Sequence, residues 1–127
     1  MNQAVIGIGS NIQPKPNIDK AISKIAQSHR ILSKSRFVET EPLGGRVQPN
    51  YVNGAILIQT SMGREELKSW LRELERELGR IRKSDRYDPR TIDLDIVVWG
   101  GEIMDEDVYE REFLRTAILE VCPGLNI

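Results

Sequence analysis

The stretch Thr91-Ile92-Asp93-Leu94-Asp95-Ile96-Val97-Val98-Trp99 decides how the rest of the chain is read. Residues alternate across a strand, so Ile92, Leu94 and Ile96 fall on one face and Asp93 and Asp95 on the other. Aspartate is depleted in strands, yet two stand at the head of the most apolar strand in the sequence. Gly100-Gly101 ends it. One apolar face needs cover, and the preceding sequence offers it. Over Arg64–Leu78, Leu67, Trp70, Leu71, Leu74 and Leu78 recur at helical spacing, with Gly79 where a left-handed residue closes a helix.

Working outward, Ala4 to Ile8 predicts a short buried strand stopped by Gly7, Gly9, Ser10 and Asn11. Pro14 and Pro16 lead into a helix whose stripe is Ile18, Ala21, Ile22, Ile25 and Ala26. Ile31–Val38 is a weaker strand, and Thr40–Pro49 a loop rich in Pro and Gly. Tyr51–Thr60 alternates as a long strand, Arg80–Arg90 is a polar loop, and a last helix over about Glu112–Val121 stops at Pro123 and Gly124. The order β-α-β-β-α-β plus a terminal helix predicts one α+β domain over residues 1–127, a ferredoxin-like split βαβ sandwich with an added C-terminal helix. That topology hosts many functions and names none.

Composition narrows the class. The 127 residues are 39% hydrophobic and 29% charged, with a net charge of −1, which excludes a disordered chain and a coiled-coil rod. Apolar runs such as Ile96–Trp99 are far too short for a membrane span. Met1-Asn2-Gln3 lacks the basic start of a signal peptide, so a cytoplasmic location is expected. Cys122 is the single cysteine, which excludes an internal disulfide and a cysteine-rich zinc site. The charge is uneven: residues 76–90 carry six basic and three acidic side chains, residues 91–127 two basic and nine acidic. That asymmetry suits a polyanion held together with a cation; it equally describes two solvated faces of opposite sign.

On chemistry, Asp93 and Asp95 repel unless a cation lies between them, and oxygen-only ligands with open positions suit magnesium, which keeps waters and shares phosphate oxygens. A wet strand face with two solvated aspartates fits the spacing as well. Arg80, Arg82, Lys83, Arg86 and Arg90 precede the pair and suit phosphate. Ordinary surface pairing with Glu73, Glu75 and Glu77 is an equally open reading for Arg72, Arg76 and Arg80, less so for Arg82 and Arg90. Gly7-Ile8-Gly9-Ser10-Asn11 fails the dinucleotide fingerprint and reads as a tight strand-to-helix turn. His29 reads as a solvated helix cap. Tyr51 and Asn53 share a strand face and suit a heterocycle, although Tyr51 as a core or edge residue is as good a reading.

Together these segments resemble the 6-hydroxymethyl-7,8-dihydropterin pyrophosphokinases of folate biosynthesis. The resemblance rests on Ile6–Asn11, Thr40–Gly44, Gln48–Asn53, Glu75 with Leu78–Arg82, and above all Asp88–Ile96, the family signature; it is collinear over residues 4–104 and resumes from Arg111 to Pro123. It implies transfer of the β,γ-pyrophosphate of ATP, the co-substrate, to the pterin hydroxymethyl oxygen, with AMP leaving. Asp93 and Asp95 would hold two Mg2+ ions, and they form the catalytic set with Arg82 and Arg90. Glu75, Arg82, Lys83, Arg90, Ile96 and Arg111 would bind ATP. Thr40, Leu43, Tyr51, Asn53, Tyr87 and Phe113 would bind the pterin, with Tyr51 and Phe113 bracketing the ring and Tyr87 in a place where the family commonly has tryptophan. The partners expected are small molecules, with no nucleic acid and no membrane, and the chain is expected to be a monomer.

One segment departs from the family pattern. Met104–Glu110 replaces a longer Pro-His segment, carries neither residue, and is acidic at Asp105, Glu106 and Asp107. Weaker nucleotide binding is therefore expected. The alternatives are a non-catalytic or weakly active pterin or nucleotide binder on the same fold, and an RNA-binding domain using residues 80–90. The second needs aromatics interleaved on central strands, and the third long strand offers aspartates instead.

Overall fold

The computed structural model describes residues 1–42, 47–79 and 91–127. The elements in chain order are β1 (Asn2–Ser10), α1 (Pro14–Ser28), β2 (Arg30–Lys34), β3 (Val38–Thr40), β4 (Tyr51–Thr60), α2 (Arg64–Glu77), β5 (Asp93–Trp99), β6 (Glu102–Ile103), α3 (Asp107–Glu110) and α4 (Glu112–Val121). All strand pairs are antiparallel, in the order β2-β4-β1-β5-β6, with β3 also on β4. β4 lies between β1 and β2, and β1 between β4 and β5, so each β-α-β unit is split by a strand of the other. This is the ferredoxin-like α+β arrangement, with α4 added.

The alternation along the strands sorts the core into two layers. Ile6, Ile8, Ile56, Ile58, Ile92 and Leu94 pack under α1 and α2 with Ile18, Ala21, Ile25, Leu67, Leu71 and Leu74. On the opposite face Val5, Ala55, Val97 and Val98 pack under Leu114, Ala117, Ile118 and Val121, the i, i+3, i+4, i+7 stripe of α4. A bulge explains why neighbours Val97 and Val98 share that layer: β5 carries one extra residue opposite the Val5–Ile6 step. Gly79 has φ 88°, the left-handed residue expected behind α2.

The sequence reading needs four corrections. β1 does not stop at Gly7; it runs through both glycines to Ser10, and the chain turns at Gln13 (φ 40°). The strand expected over Ile31–Val38 is two short ones. Its ladder to β4 slips between Ile31 and Ser33, and Ser35 exchanges two bonds with Ala55, its N–H donating to the carbonyl (2.9 Å) and its Oγ accepting the Ala55 N–H (2.8 Å). Ala26 is exposed, outside the buried stripe of α1. His29 is no solvated cap: it is buried, its Nδ1 lies 2.9 Å from Thr60 Oγ1, and its ring meets Trp70 edge-on at 4.5 Å. The segment Met104–Glu110 holds α3, anchored by the buried Val108. Among the described residues no helix is long and apolar enough to cross a membrane.

Candidate active site

α4 covers only part of its face of the sheet. The uncovered part begins where Asp93 and Asp95 stand, and the register explains the space around them. Asp93 pairs with Gly9 and Asp95 with Gly7 on β1, while Gly9 and Gly7 pair with Asn53 and Ala55 on β4. Directly paired residues share a face, so two carboxylates and an amide flank a floor of glycine. At Gly9 a side chain has no room while Asn53 keeps its pose, because a Cβ there would lie 2.5 Å from Asn53 Oδ1. Asn53 is held in that pose by its Nδ2, which donates to Thr40 Oγ1 at 2.6 Å. Arg111 and Phe113, from the junction of α3 and α4, close the cleft with Val97, Leu114 and Asp105.

The outer edge of β5 is the other half of the site. β6 pairs β5 only at Val98 and Trp99, so among the described residues Leu94 has no strand neighbour on that side, and its backbone groups need other partners. Helix α2 supplies them. Leu94 N–H donates to Glu75 Oε2 (2.8 Å), and Leu94 O accepts from Arg72 Nη1 (2.7 Å). Arg72 also pairs with Glu75 Oε2 (2.8 Å) and, through Nη2, with Asp95 Oδ1 (2.8 Å). Beyond Arg72 a second cavity of about 370 Å³ opens, lined by Lys68, Arg64, Ile96, Met104 and Asp105, with Asp95 on its border with the cleft.

The electrostatics follow from this placement. Burial pushes the Asp95 carboxyl up, the adjacent Asp93 charge pushes it further, and Arg72 pulls it back, leaving it at about 6. The two carboxylates are within hydrogen-bonding reach of each other, an arrangement a cation would stabilise. Their donor chemistry, two hard oxygens beside an open cleft, fits magnesium in the mode in which it keeps water and takes phosphate oxygens. Among the described residues no third acidic, histidine or cysteine side chain completes a metal cage, and this mode of binding needs none.

The family model of 7,8-dihydro-6-hydroxymethylpterin-pyrophosphokinase matches residues 5–123. The chain belongs to this family. It is 34% identical to the 2-amino-4-hydroxy-6-hydroxymethyldihydropteridine pyrophosphokinase of Haemophilus influenzae, over 98% of this chain and 84% of that one. To the proteins of the same name from Bacillus subtilis and Pseudomonas aeruginosa it is 32% identical, over 95% and 100% of this chain and 78% and 85% of theirs.

Of the residues expected to act in this pyrophosphokinase fold, Asn53, Asp93, Asp95, Arg111 and Phe113 line one cleft. Thr40 touches it through Asn53, and Ile96 lines the adjoining cavity. Tyr51 pairs with Thr40 at the end of β4, on the face of Asn53. Glu75 stands apart: it is 1% exposed and turned onto Leu94 and Arg72, so it shapes the edge of β5 and does not line either cavity. Leu43, Arg82, Lys83, Tyr87 and Arg90 lie outside the described residues. Sequence reasoning missed Arg72 as a partner of Asp95, for which spacing gives no signal. It also missed Ser10 and Asn11 as ties. Ser10 Oγ donates to Thr91 O (2.6 Å), fixing the start of β5, and Asn11 Nδ2 donates to Gln48 Oε1 (2.6 Å). The polar pair Ser10-Asn11, closing an otherwise apolar strand, was the available clue.

Proposed function

We propose that the Asp93–Asp95 cleft is where this pyrophosphokinase transfers the β,γ-pyrophosphate of ATP to 6-hydroxymethyl-7,8-dihydropterin, the step of folate biosynthesis for which its relatives are named. A bond forms between the hydroxymethyl oxygen and the β-phosphorus, the bond from that phosphorus to the oxygen bridging to the α-phosphorus breaks, AMP leaves, and the hydroxyl proton passes to solvent. The observation that carries the reading is convergence: β4, β5 and the α3–α4 junction bring an amide, two carboxylates, a guanidinium and an aromatic ring to one cleft.

Each group has a distinct task. Asn53 presents its amide to the edge of the ring, with Thr40 fixing which way it points, and Phe113 covers one ring face opposite Tyr51. Arg111, supported by Asp107 at 3.2 Å, meets phosphate, as do Arg82, Lys83 and Arg90 from the 80–90 segment. Asp93 and Asp95 hold magnesium, two ions in this reading, which when bound supplies neutralising charge to the transferring phosphoryl oxygens. Ile96 offers an apolar wall for adenosine in the cavity beside Asp95. The test is AMP release from ATP and magnesium with and without the dihydropterin. Release that requires the pterin and disappears in Asp95→Ala supports the reading; retained turnover in that variant removes it.

A further inference from the structure

We infer that Arg72 is a positioning residue for this reaction, holding the Asp95 carboxylate in the orientation that receives the cation. The inference rests on the reading of Asp95 as a metal ligand and adds to it a residue on another element. Its basis is a closed set of contacts at the exposed edge of β5. Glu75 and Arg72 take the N–H and C=O of Leu94 at 2.8 and 2.7 Å, doing for that residue what a neighbouring strand would do. The second nitrogen of the same guanidinium then reaches Asp95 Oδ1 at 2.8 Å. A planar fork locked at one end to the backbone fixes the carboxylate at the other, and Arg72 is itself only 23% exposed along its side chain. One carboxylate oxygen is thereby tied on the α2 side. The other is left to the cleft shared with Asp93. Residues that orient a metal ligand in this way typically govern affinity or rate by about 10–100-fold.

The test uses the whole protein and two variants. Arg72→Met with Glu75→Gln removes the guanidinium donors while changing no net charge and leaving no unpaired carboxylate at position 75; Arg72→Lys keeps the charge with a single donor nitrogen. Mn2+ binding to the nucleotide-free protein is read by electron paramagnetic resonance, alongside kcat and KM for AMP release and the melting temperature. The double variant is expected to bind Mn2+ about tenfold more weakly and to lose about 10–100-fold in kcat with an unchanged dihydropterin KM, and Arg72→Lys to fall between it and the wild type. A lowered melting temperature with wild-type Mn2+ affinity and kcat would make Arg72 purely structural and overturn the inference. Tighter Mn2+ binding would make it a competing cation and overturn it too. The Mn2+ measurement needs no turnover, so it remains informative if the wild-type protein releases no AMP, an outcome that would instead remove the functional reading.

Discussion

Gly9→Ala is expected to damage pterin recognition from a position that need not touch the ligand. The new Cβ would lie 2.5 Å from Asn53 Oδ1 and 3.5 Å from its Cγ, about 1 Å inside an ordinary contact. The neighbour is a short side chain already pinned by a 2.6 Å bond to Thr40, so it cannot give way without losing that bond. Overpacking costs about 1–3 kcal/mol and the lost bond about 0.5–1.5, while the stiffer unfolded chain returns about 0.4–1. The net destabilisation is roughly 0.5–4 kcal/mol, about 2–16 °C in melting temperature for a domain of this size. A displaced amide no longer meets the ring edge, which weakens dihydropterin binding by about 10–100-fold, or 1.4–2.8 kcal/mol. Gly7→Ala is the control: its Cβ would meet Val97 Cγ1 at 3.4 Å, an ordinary contact. Calorimetric titration with the dihydropterin and a thermal melt decide the matter. Wild-type affinity and melting temperature in Gly9→Ala, or equal damage in both variants, would refute the reasoning.

Three further outcomes follow from the same contacts. Glu75→Ala leaves the buried Leu94 N–H without its acceptor and takes one of three acceptors from the Arg72 guanidinium, so urea denaturation is expected to show a loss of about 1–3 kcal/mol; a loss below about 0.5 kcal/mol would contradict that role. Burial lowers the pKa of His29 below 6.5, so the unfolded chain takes up a proton first: stability is full above pH 6.5 and falls as pH drops through the folded-state value. Melts of the wild type and His29→Asn between pH 7.5 and 5 should therefore converge on acidification, and parallel curves would contradict it. For Asp95, raised to about 6 by burial and Asp93, the sign is opposite. The metal-free protein loses stability as pH rises from about 4 through 6, whereas Mn2+ affinity rises over the same interval and levels above it; an affinity flat from pH 5 to 8 would contradict the assignment.

Much of this architecture was legible because periodicity carries it. The alternation in Thr91–Trp99 placed Asp93 and Asp95 opposite Ile92 and Leu94, and the Leu67-Leu71-Leu74 stripe placed α2 over that apolar face. What periodicity could not carry was context. Gly7 and Gly9 looked like strand breakers because isolated glycines usually are; here the register sets Gly9 beneath Asn53, and the strand runs on. Ser35 breaks the second strand by a side-chain bond to the Ala55 N–H, and His29 is buried because Trp70 and Thr60, more than thirty residues away, close over it. At the site, family resemblance supplied the residues that line the cleft. It gave Glu75 a place beside the nucleotide, whereas its carboxylate faces the edge of β5. It was silent about Arg72, since the pairing with Asp95 depends on the way α2 lies along that edge.

The claim on which the account rests is tested most directly by crystallising the protein with Mn2+, a non-hydrolysable ATP analogue and the dihydropterin, and locating the metal by anomalous scattering. The account predicts Mn2+ in direct contact with carboxylate oxygens of both Asp93 and Asp95, the analogue's phosphates completing its coordination. Metal and phosphates bound elsewhere, with neither carboxylate coordinating an ion, would contradict it.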